Sequence, residues 1–317
     1  MFKKIITACL CCILISLCMT SCKKNSSSKI QKPVRIGISM AHYDDIFLSY
    51  LRESMYNYKN KVDNLEITSQ DAKGDVGKQL SNVENYIALE MDAIIVNPVD
   101  TLATRKMTRL AVEAGIPIIY VNRMPEEKLP EGAYFVGSDE EKAGRLQMQY
   151  LAEKMNGKGN LAIMLGELSS VGTHGRTKGV KDVLKKYPDI HIVEEQTAKF
   201  MRDQALNLMS NWLSSGKKID AVAANNDEMA LGAILAMKNI GIKPNKDILV
   251  GGVDANPDAL EAMKKDELTV TVFQDAKGQG EGAVKVAYKL SKGGKNPSIT
   301  WIPFKQVTEK NYKKFLD

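Results

Sequence analysis

The sequence predicts an α/β protein with two lobes, each a doubly wound parallel sheet that carries helices on both faces. From Val34 onward, short apolar runs alternate with amphipathic stretches of about ten to eighteen residues, the pattern of repeated strand–helix units. About eleven apolar runs occur, which is more than one compact sheet accommodates. The 317 residues are 44% hydrophobic, enough to fill one large domain or two modest ones. Two lobes therefore account best for the pattern.

The predicted elements form two consecutive series. The first has strands at 34–40, 65–68, 93–96 and 117–121, with helices at 45–59, 76–89 and 101–114. The second has strands at 133–136, 160–165, 190–193, 220–224, 248–253, 268–273 and 299–304, with helices at 140–155, 176–186, 203–213, 228–240, 257–265 and 279–290. Because strands and helices alternate, both series favour parallel strands joined by right-handed crossovers.

The N-terminus has the features of an export signal. A basic start with Lys3 and Lys4 precedes an apolar segment over 5–17, which is too short to span a bilayer comfortably. Small residues then lead to Cys22, as in a bacterial lipoprotein signal. We expect 1–22 to be a lipoprotein signal peptide with Cys22 lipidated, and 23–33 to be a flexible tether. The alternative is an ordinary secretory signal that is cleaved elsewhere.

Cysteine usage agrees with export. All five cysteines lie at or before Cys22, so the mature chain has no disulfide, no catalytic cysteine and no cysteine-bound metal. The formal net charge of +6 arises from interspersed lysines and acids without a long basic run. This distribution indicates a solvated surface, and we expect no nucleic-acid partner.

Polar side chains with fixed hydrogen-bonding geometry follow most of the predicted strands. Because ligands of open α/β sheets bind at the carboxyl ends of the strands, we expect these side chains to share one site. A sugar hydroxyl needs both a donor and an acceptor, so a rim of amides, carboxylates and guanidinium groups suits a small polyhydroxylated ligand. The rim residues are Asp45, Asn97, Asn122, Arg123, Arg176, Asn226, Asp254 and Gln274.

Three of the candidate residues have simpler alternative roles. Asn226 follows the strand at 220–224 and could act only as the cap of the next helix. Phe47 and Phe200 each follow a strand and could cover the apolar faces of a sugar ring, but either could instead pack in the core.

No motif for catalysis competes with this interpretation. The chain lacks G-x-S-x-G, H-E-x-x-H and phosphate-binding loop motifs, and its three histidines are scattered. The adjacent Asp44 and Asp45 could form an acid–base pair, but neighbouring side chains usually diverge. We therefore expect no enzymatic activity, no cofactor and no metal.

The chain resembles the type I periplasmic binding proteins of sugar ABC transporters, the group that includes ribose-, galactose/glucose- and inositol/rhizopine-binding proteins. The resemblance covers essentially all of the mature sequence. The matching runs are Tyr43-Asp44-Asp45-Ile46-Phe47, Asn97-Pro98-Val99-Asp100, Tyr120-Val121-Asn122-Arg123, Val136-Gly137-Ser138-Asp139, Arg176-Thr177-Lys178-Gly179, Asn225-Asn226-Asp227-Glu228-Met229-Ala230, Gly252-Val253-Asp254-Ala255 and Thr271-Val272-Phe273-Gln274-Asp275.

The resemblance implies two lobes joined by a three-crossing hinge, with a ligand cleft between them. The N-terminal lobe would comprise 34–137 plus 275–302, and the C-terminal lobe 138–274 plus 303–317. Phe47 and Phe200 would sandwich the ligand ring, and Gln274 would lie at a crossing. Hydroxyl-binding groups would come from both lobes: Asp45, Asn97, Asn122 and Arg123 from the first, and Arg176, Asn226 and Asp254 from the second.

Two departures narrow the ligand class. Galactose/glucose-binding members carry a His and an Asp before the arginine that matches Arg176, where this chain has Ser170 and Gly172. The segment 156–159 lacks the carboxylates of their calcium loop, so we expect no structural Ca²⁺. The runs 120–123 and 301–304 are closer to the inositol/rhizopine-type members. Whether Ser170, Thr173 or His174 contacts ligand stays open at this point.

The resulting expectation is a monomeric, extracytoplasmic solute-binding lipoprotein that is anchored to the cell membrane, in the periplasm or on the outer face. It would bind a monosaccharide or cyclitol and present it to the permease of an ABC transporter. The alternative is a sugar-sensing protein that serves a chemoreceptor or a sensor kinase. A transcriptional repressor shares this fold but would need a helix-turn-helix segment where this chain has an export signal.

Overall fold

Two six-stranded sheets form the framework of the computed structural model, which describes residues 32–316. The first sheet has the order β11-β5-β4-β3-β1-β2, and every neighbouring pair is parallel. Its strands are β1 Val34–Met40, β2 Leu65–Asp71, β3 Ala93–Val96, β4 Ile118–Val121, β5 Ala133–Gly137 and β11 Ile299–Trp301. The short strands β3 and β4 are buried along their whole length, as expected of a parallel sheet that is covered on both faces.

The second sheet has the order β12-β10-β9-β8-β6-β7, and only the pair β10–β12 is antiparallel. Its strands are β6 Lys158–Leu165, β7 Asp189–Thr197, β8 Ala221–Ala224, β9 Leu249–Gly251, β10 Val270–Phe273 and β12 Lys305–Thr308. Each sheet is packed within its own hydrophobic core clusters. The prediction of two doubly wound lobes is therefore confirmed.

Nine α-helices cover the two sheets in the described part of the chain. They are α1 Ile46–Tyr58, α2 Val76–Ala88, α3 Thr104–Glu113, α4 Glu140–Lys154, α5 Val171–Leu184, α6 Arg202–Ser214, α7 Asp227–Asn239, α8 Pro257–Lys264 and α9 Ala276–Ser291. Short 3-10 helices lie at Lys59–Lys61 and Tyr312–Phe315. None of the helices within 32–316 has the length and apolarity needed to cross a membrane. The predicted signal peptide, Cys22 and most of the predicted tether lie outside the described residues.

Aspartate or asparagine caps determine where many of the helices begin. In six helices the residue before the first turn accepts a hydrogen bond from the backbone N–H three positions later, which satisfies a donor that has no partner within the helix. These caps are Asp45, Asp75, Asp139, Asn226, Asn256 and Asp275. Because several caps directly follow strand ends, the same short segments carry both helix starts and candidate ligand groups.

Three segments carry the chain from one lobe to the other, after β5, β10 and β11. Helix α4 packs on the second sheet although β5 belongs to the first, and α9 returns from β10 to the first sheet. The third crossing corrects the predicted strand at 299–304, which was wrong in extent. Pro303 has no N–H to donate, and the chain leaves β11 there to form β12 at the edge of the other sheet.

Helix α5 begins at Val171, five residues before the predicted start at 176. The prediction was wrong because Gly172 and Gly175 are poor helix formers in sequence terms. The structure shows why glycine is needed in this helix: a Cβ on Gly175 would lie 2.6 Å from Cβ of Glu140 in α4. The earlier start is important for the site because it places Ser170 at the N-cap of the helix that carries Arg176.

Replacing Gly144 by alanine is expected to lower the free energy of unfolding by about 2–3 kcal/mol, because overpacking a close contact forces the backbone apart. An added Cβ would lie 1.9 Å from the backbone oxygen of Arg176, where α4 and α5 meet. Urea unfolding measures the loss. Gly77→Ala is the matched control, since the nearest atom to its Cβ is Asp75 Oδ1 at 3.2 Å, and its effect should stay within about 1 kcal/mol. Equal effects would contradict the proposed tight α4–α5 contact.

Candidate functional site

A small cavity lies between the two lobes, at the carboxyl ends of their parallel strands. Its volume is about 40 Å³, and both lobes contribute to its walls. The first lobe supplies Asp45, Phe47, Leu48, Asn122 and Arg123, and the second supplies Glu140, Ser170, Gly172, Arg176, Phe200, Asn226, Asp254 and Gln274. The structure thus brings together nine of the ten residues that the sequence singled out.

Asn97 is the candidate that does not line this cavity. It is fully buried, and its Oδ1 accepts a hydrogen bond from the Ala41 N–H at 3.3 Å. Its Nδ2 donates to Val121 O at 3.2 Å and to Asn122 Oδ1 at 3.3 Å. Asn97 therefore ties neighbouring strand ends together and orients Asn122 from behind.

Arg176 organises the wall that the second lobe contributes. Its Nε donates to Glu140 Oε2 at 2.7 Å, and its Nη2 donates to Gln274 Oε1 at 2.9 Å. Nη1 donates to the backbone oxygen of Asn225 at 2.6 Å and lies 3.8 Å from Asp254 Oδ1. Burial disfavours the charged guanidinium, but the surrounding carboxylates outweigh this effect and raise the pKa of Arg176. The arginine is therefore a permanent charge that fixes two polar neighbours.

Asp254 presents a buried carboxylate on a strained backbone. Its φ of 128° and the φ of 55° at Ala255 both fall in regions that L-residues rarely adopt. Within residues 32–316 no group donates a hydrogen bond to the Asp254 carboxylate, which is nevertheless only 6% exposed. Burial raises its pKa well above 3.8, Arg176 opposes the shift, and the neighbouring Asp227 adds to it. Such a carboxylate gains substantially from a ligand hydroxyl that donates to it.

Gln274 supplies a hydrogen-bond donor that complements the Asp254 carboxylate. Its Oε1 is taken by Arg176, whereas its buried Nε2 has no hydrogen-bond partner among the described residues. Asp45 adds a further acceptor, because among the described residues only its Oδ1 is used, by the Leu48 N–H at 2.8 Å. Burial raises the pKa of Asp45. The cavity thus contains both donors and acceptors whose capacity residues 32–316 do not fill.

Asn226 combines two roles that the sequence left as alternatives. Its Oδ1 accepts from the Met229 N–H at 3.0 Å and so caps α7, while the side chain also lines the cavity. Its Nδ2 donates to Phe200 O at 3.2 Å. Asp227, the first residue of α7, does not cap the helix: it is fully buried and accepts from Thr271 Oγ1 at 2.7 Å and from the Asn256 N–H at 2.9 Å.

The two aromatic candidates come from opposite lobes. Phe47 lies in the first turn of α1, and Phe200 precedes α6 with a φ of 62°. Gly166 makes room for the second ring, because an added Cβ would lie 2.0 Å from Phe200 Cζ. Both rings line the cavity, and each also packs partly against the core of its own lobe. The packing alternative and the cavity-lining role are therefore compatible.

Comparison with known proteins places this geometry in a family. The sequence profile of the periplasmic binding protein domain matches residues 36–295, which is most of the chain. The chain belongs to the periplasmic binding protein family. Membership implies an extracytoplasmic location, and it confirms the resemblance drawn from the sequence. The members compared below are binding proteins and not enzymes.

Three similar proteins illustrate the relationship. A protein of Rhizobium meliloti proposed to bind rhizopine is 48% identical over 88% of this chain and 92% of its own length. A xylitol-binding protein of Mycolicibacterium smegmatis is 36% identical over 88% of this chain and 78% of its own. The crystal structure of a Bacillus halodurans ABC transporter solute-binding protein with bound myo-inositol is 43% identical, with a TM-score of 0.86 over 90% of this chain and 98% of that one.

The structure adds lining residues of this family member that sequence reasoning missed. Glu140 and Leu48 were not predicted, and Ser170 was left open. Glu140 has no local signal, because an acid in the first turn of a helix is ordinary in sequence terms. Thr173 and His174 do not line this cavity and instead face a surface pocket beside α5. No group of three or more His, Cys, Asp or Glu within 32–316 is placed to hold a metal ion.

Proposed function

We propose that this protein is an extracytoplasmic solute-binding lipoprotein that closes its lobes on a single-ring cyclitol or monosaccharide. The observation that carries the proposal is one small inter-lobe cavity in which acceptors, donors and two aromatic rings converge from both lobes. The protein catalyses no reaction and uses no cofactor. It acts as a monomer, and binding shifts an equilibrium between open and closed lobes.

The hydrogen-bonding capacity of the cavity supports a neutral polyol. Asp45 and Asp254 accept from ligand hydroxyls, and Gln274 donates to a hydroxyl oxygen. Arg176 holds Gln274 and the Asp254 region in place. Because a buried polar group without a partner costs roughly 1–3 kcal/mol, a ligand that lacks a matching hydroxyl is disfavoured.

The aromatic rings and the cavity size restrict the ligand further. Phe47 and Phe200 approach from opposite lobes and cover the two apolar faces of a ring. The small volume of the cavity, about 40 Å³, favours a ligand with a single ring. Similarity to the proteins associated with rhizopine and with myo-inositol favours an inositol-type cyclitol over an aldohexose.

The remaining parts of the proposal concern delivery. We propose that Cys22 carries the lipid that anchors the protein, and that the segment up to residue 33 gives the domain its reach. The closed form is then presented to an ABC permease. The boundaries at 137/138, 274/275 and 302/303 are proposed as the hinge, since the crossings follow β5, β10 and β11.

Calorimetric titration and thermal shift with cyclitols, pentoses and hexoses test the proposed ligand class. We expect myo-inositol or a substituted inositol to bind most tightly. At a concentration of 100 times Kd the ligand should add about 2.7 kcal/mol to the free energy of unfolding. If no polyol shifts the melting temperature, the proposal fails. A deletion strain then separates the two roles, because loss of cyclitol uptake supports transport, whereas normal uptake with a lost ligand response supports the sensing alternative.

A further inference from the structure

One carboxylate reaches across the cleft without lining the ligand cavity. Glu167 follows β6 in the second lobe, and its Oε2 accepts from Arg123 Nη2 of the first lobe at 3.1 Å. Its Oε1 lies 3.3 Å from His42 Nε2, which also belongs to the first lobe. The Glu167 side chain is 26% exposed, His42 is 25% exposed and Arg123 is 7% exposed. Both contacts are therefore partly withdrawn from water.

Both partners of Glu167 belong to the first lobe, and one of them, Arg123, is fixed there by backbone contacts. Arg123 Nη1 donates to Pro98 O at 3.2 Å and to Val99 O at 3.3 Å, so one side of the guanidinium is fixed before it meets Glu167. His42 lies in the loop between β1 and α1. Because Glu167 is on the other side of the hinge, separating the lobes breaks both contacts at once. These contacts contribute free energy only to the closed form.

We propose that Glu167, His42 and Arg123 form an inter-lobe latch that stabilises the closed form and thereby tightens ligand binding. The inference rests on the proposed function, in which the lobes close on a ligand. Glu167 acts as a positioning residue, because it fixes Arg123 at the cavity edge and adds contacts that exist only after closure. Of the three latch residues, Arg123 also lines the ligand cavity, whereas Glu167 and His42 lie outside it.

The latch makes closure depend on pH in a defined direction. The hydrogen bond to Glu167 raises the pKa of His42 above its ordinary 6.5, while burial and Arg123 oppose this shift and Asp44 supports it. A raised His pKa means that closure takes up a proton, so this contribution is complete below pH 6.5 and is lost as pH rises through the raised pKa. A second cavity, which His42 and Glu167 themselves line, contains further charged groups near the latch, namely Asp45, Lys199, Arg202, Asp203 and Glu228.

Glu167 sets the acidic limit of the pH range in which the latch stabilises the closed form. Burial disfavours its charged form, but His42 and Arg123 outweigh this effect and lower its pKa. Its contribution is therefore present above the ordinary value of 4.5 and is lost only as pH falls through the lowered pKa. Affinity should be highest in mildly acidic solution, and it should fall to the level that the Arg123 contact alone supports as pH rises through the raised pKa of His42.

Titration calorimetry of Glu167→Gln from pH 5.5 to 8.5 with a cyclitol tests the latch. We expect affinity roughly tenfold weaker than wild type at pH 6, a faster dissociation rate and a flatter pH profile. His42→Gln should flatten the profile while keeping the Arg123 contact. Glu195→Gln is the matched control, because Glu195 is 29% exposed and pairs at 2.8 Å with Lys181 of its own lobe. A Glu167→Gln profile that matches the control overturns the proposal.

Small-angle X-ray scattering of the ligand-free proteins at pH 6 gives a measurement that needs no ligand. Glu167→Gln should have a larger radius of gyration than Glu195→Gln, because more molecules are open. If no polyol binds the wild type, the proposed function fails while scattering still decides the latch: equal radii overturn it, and a larger radius for Glu167→Gln supports it.

Discussion

Replacing Arg176 by methionine is expected to lower the free energy of unfolding by about 3–5 kcal/mol, because it leaves buried charges without compensation. The guanidinium is fully buried and holds Glu140, Gln274 and Asn225 O at 2.6–2.9 Å, with Asp254 at 3.8 Å. Without it, the largely buried carboxylates of Glu140 and Asp254 lose the positive charge that compensates them. Urea unfolding of the ligand-free protein at neutral pH measures the loss.

Arg145→Met is the control for this prediction. Arg145 pairs with Glu141 at 3.0 Å on α4, but its side chain is 35% exposed, so its removal should cost at most about 1 kcal/mol. Adding Glu140→Gln to Arg176→Met should restore part of the lost stability, because one uncompensated charge disappears. Acidification should help the single variant as well, since protonation of Asp254, whose pKa is raised, removes one of these charges. Equal losses for Arg176→Met and Arg145→Met would contradict this account of Arg176.

Asp254→Ala is expected to weaken cyclitol binding about a hundredfold or more, while the fold is retained. A carboxylate that accepts two hydroxyl hydrogen bonds contributes roughly 1.5–3 kcal/mol for each, and 1.4 kcal/mol corresponds to a tenfold change in affinity. Burial raises the pKa of Asp254 in the folded protein, so its ionisation destabilises the ligand-free fold as pH rises through that raised pKa. The free energy of unfolding of ligand-free Asp254→Ala at pH 7.5 should therefore be equal to or above that of wild type.

Titration calorimetry and urea unfolding on the same preparations separate these two effects. Asp254→Asn keeps the shape of the side chain and should lose affinity as well, because one acceptor becomes a donor. Asp258→Ala is the nearby control, since Asp258 is 65% exposed and pairs with Arg202 at 2.7 Å, away from the cavity. Affinity of Asp254→Ala within twofold of the control would remove Asp254 from the site.

Local patterns were sufficient to predict most of the fold and most of the cavity wall. Apolar runs, helix caps and strand ends are each set by residues that lie within a few positions of one another in sequence. Since the carboxyl ends of parallel strands meet at one edge of a sheet, residues such as Asn122, Asn226 and Asp254 came together as expected. Asn97 shows the limit of this rule, because it occupies a strand end but turns its amide inward to neighbouring strands.

Features that depend on distant segments had no such local signal. The early start of α5 is explained only by the approach of α4, which requires small residues at Gly144 and Gly175. Glu140 became a wall residue because the chain passes to the second lobe after β5, which brings the start of α4 beside Arg176. The split between β11 and β12 likewise follows from strand pairing with two different sheets.

The sequence by itself determined the α/β class, the two lobes, the polar rim and the absence of cysteine after Cys22, because each depends on composition or on short-range periodicity. Only the tertiary structure decided which charges meet. Arg176 is shared among Glu140, Gln274 and Asp254, and Glu167 crosses the cleft to His42 and Arg123. The strength and pKa consequences of such pairs depend on distance and burial, which segments far apart in sequence acquire only when the lobes have folded and closed.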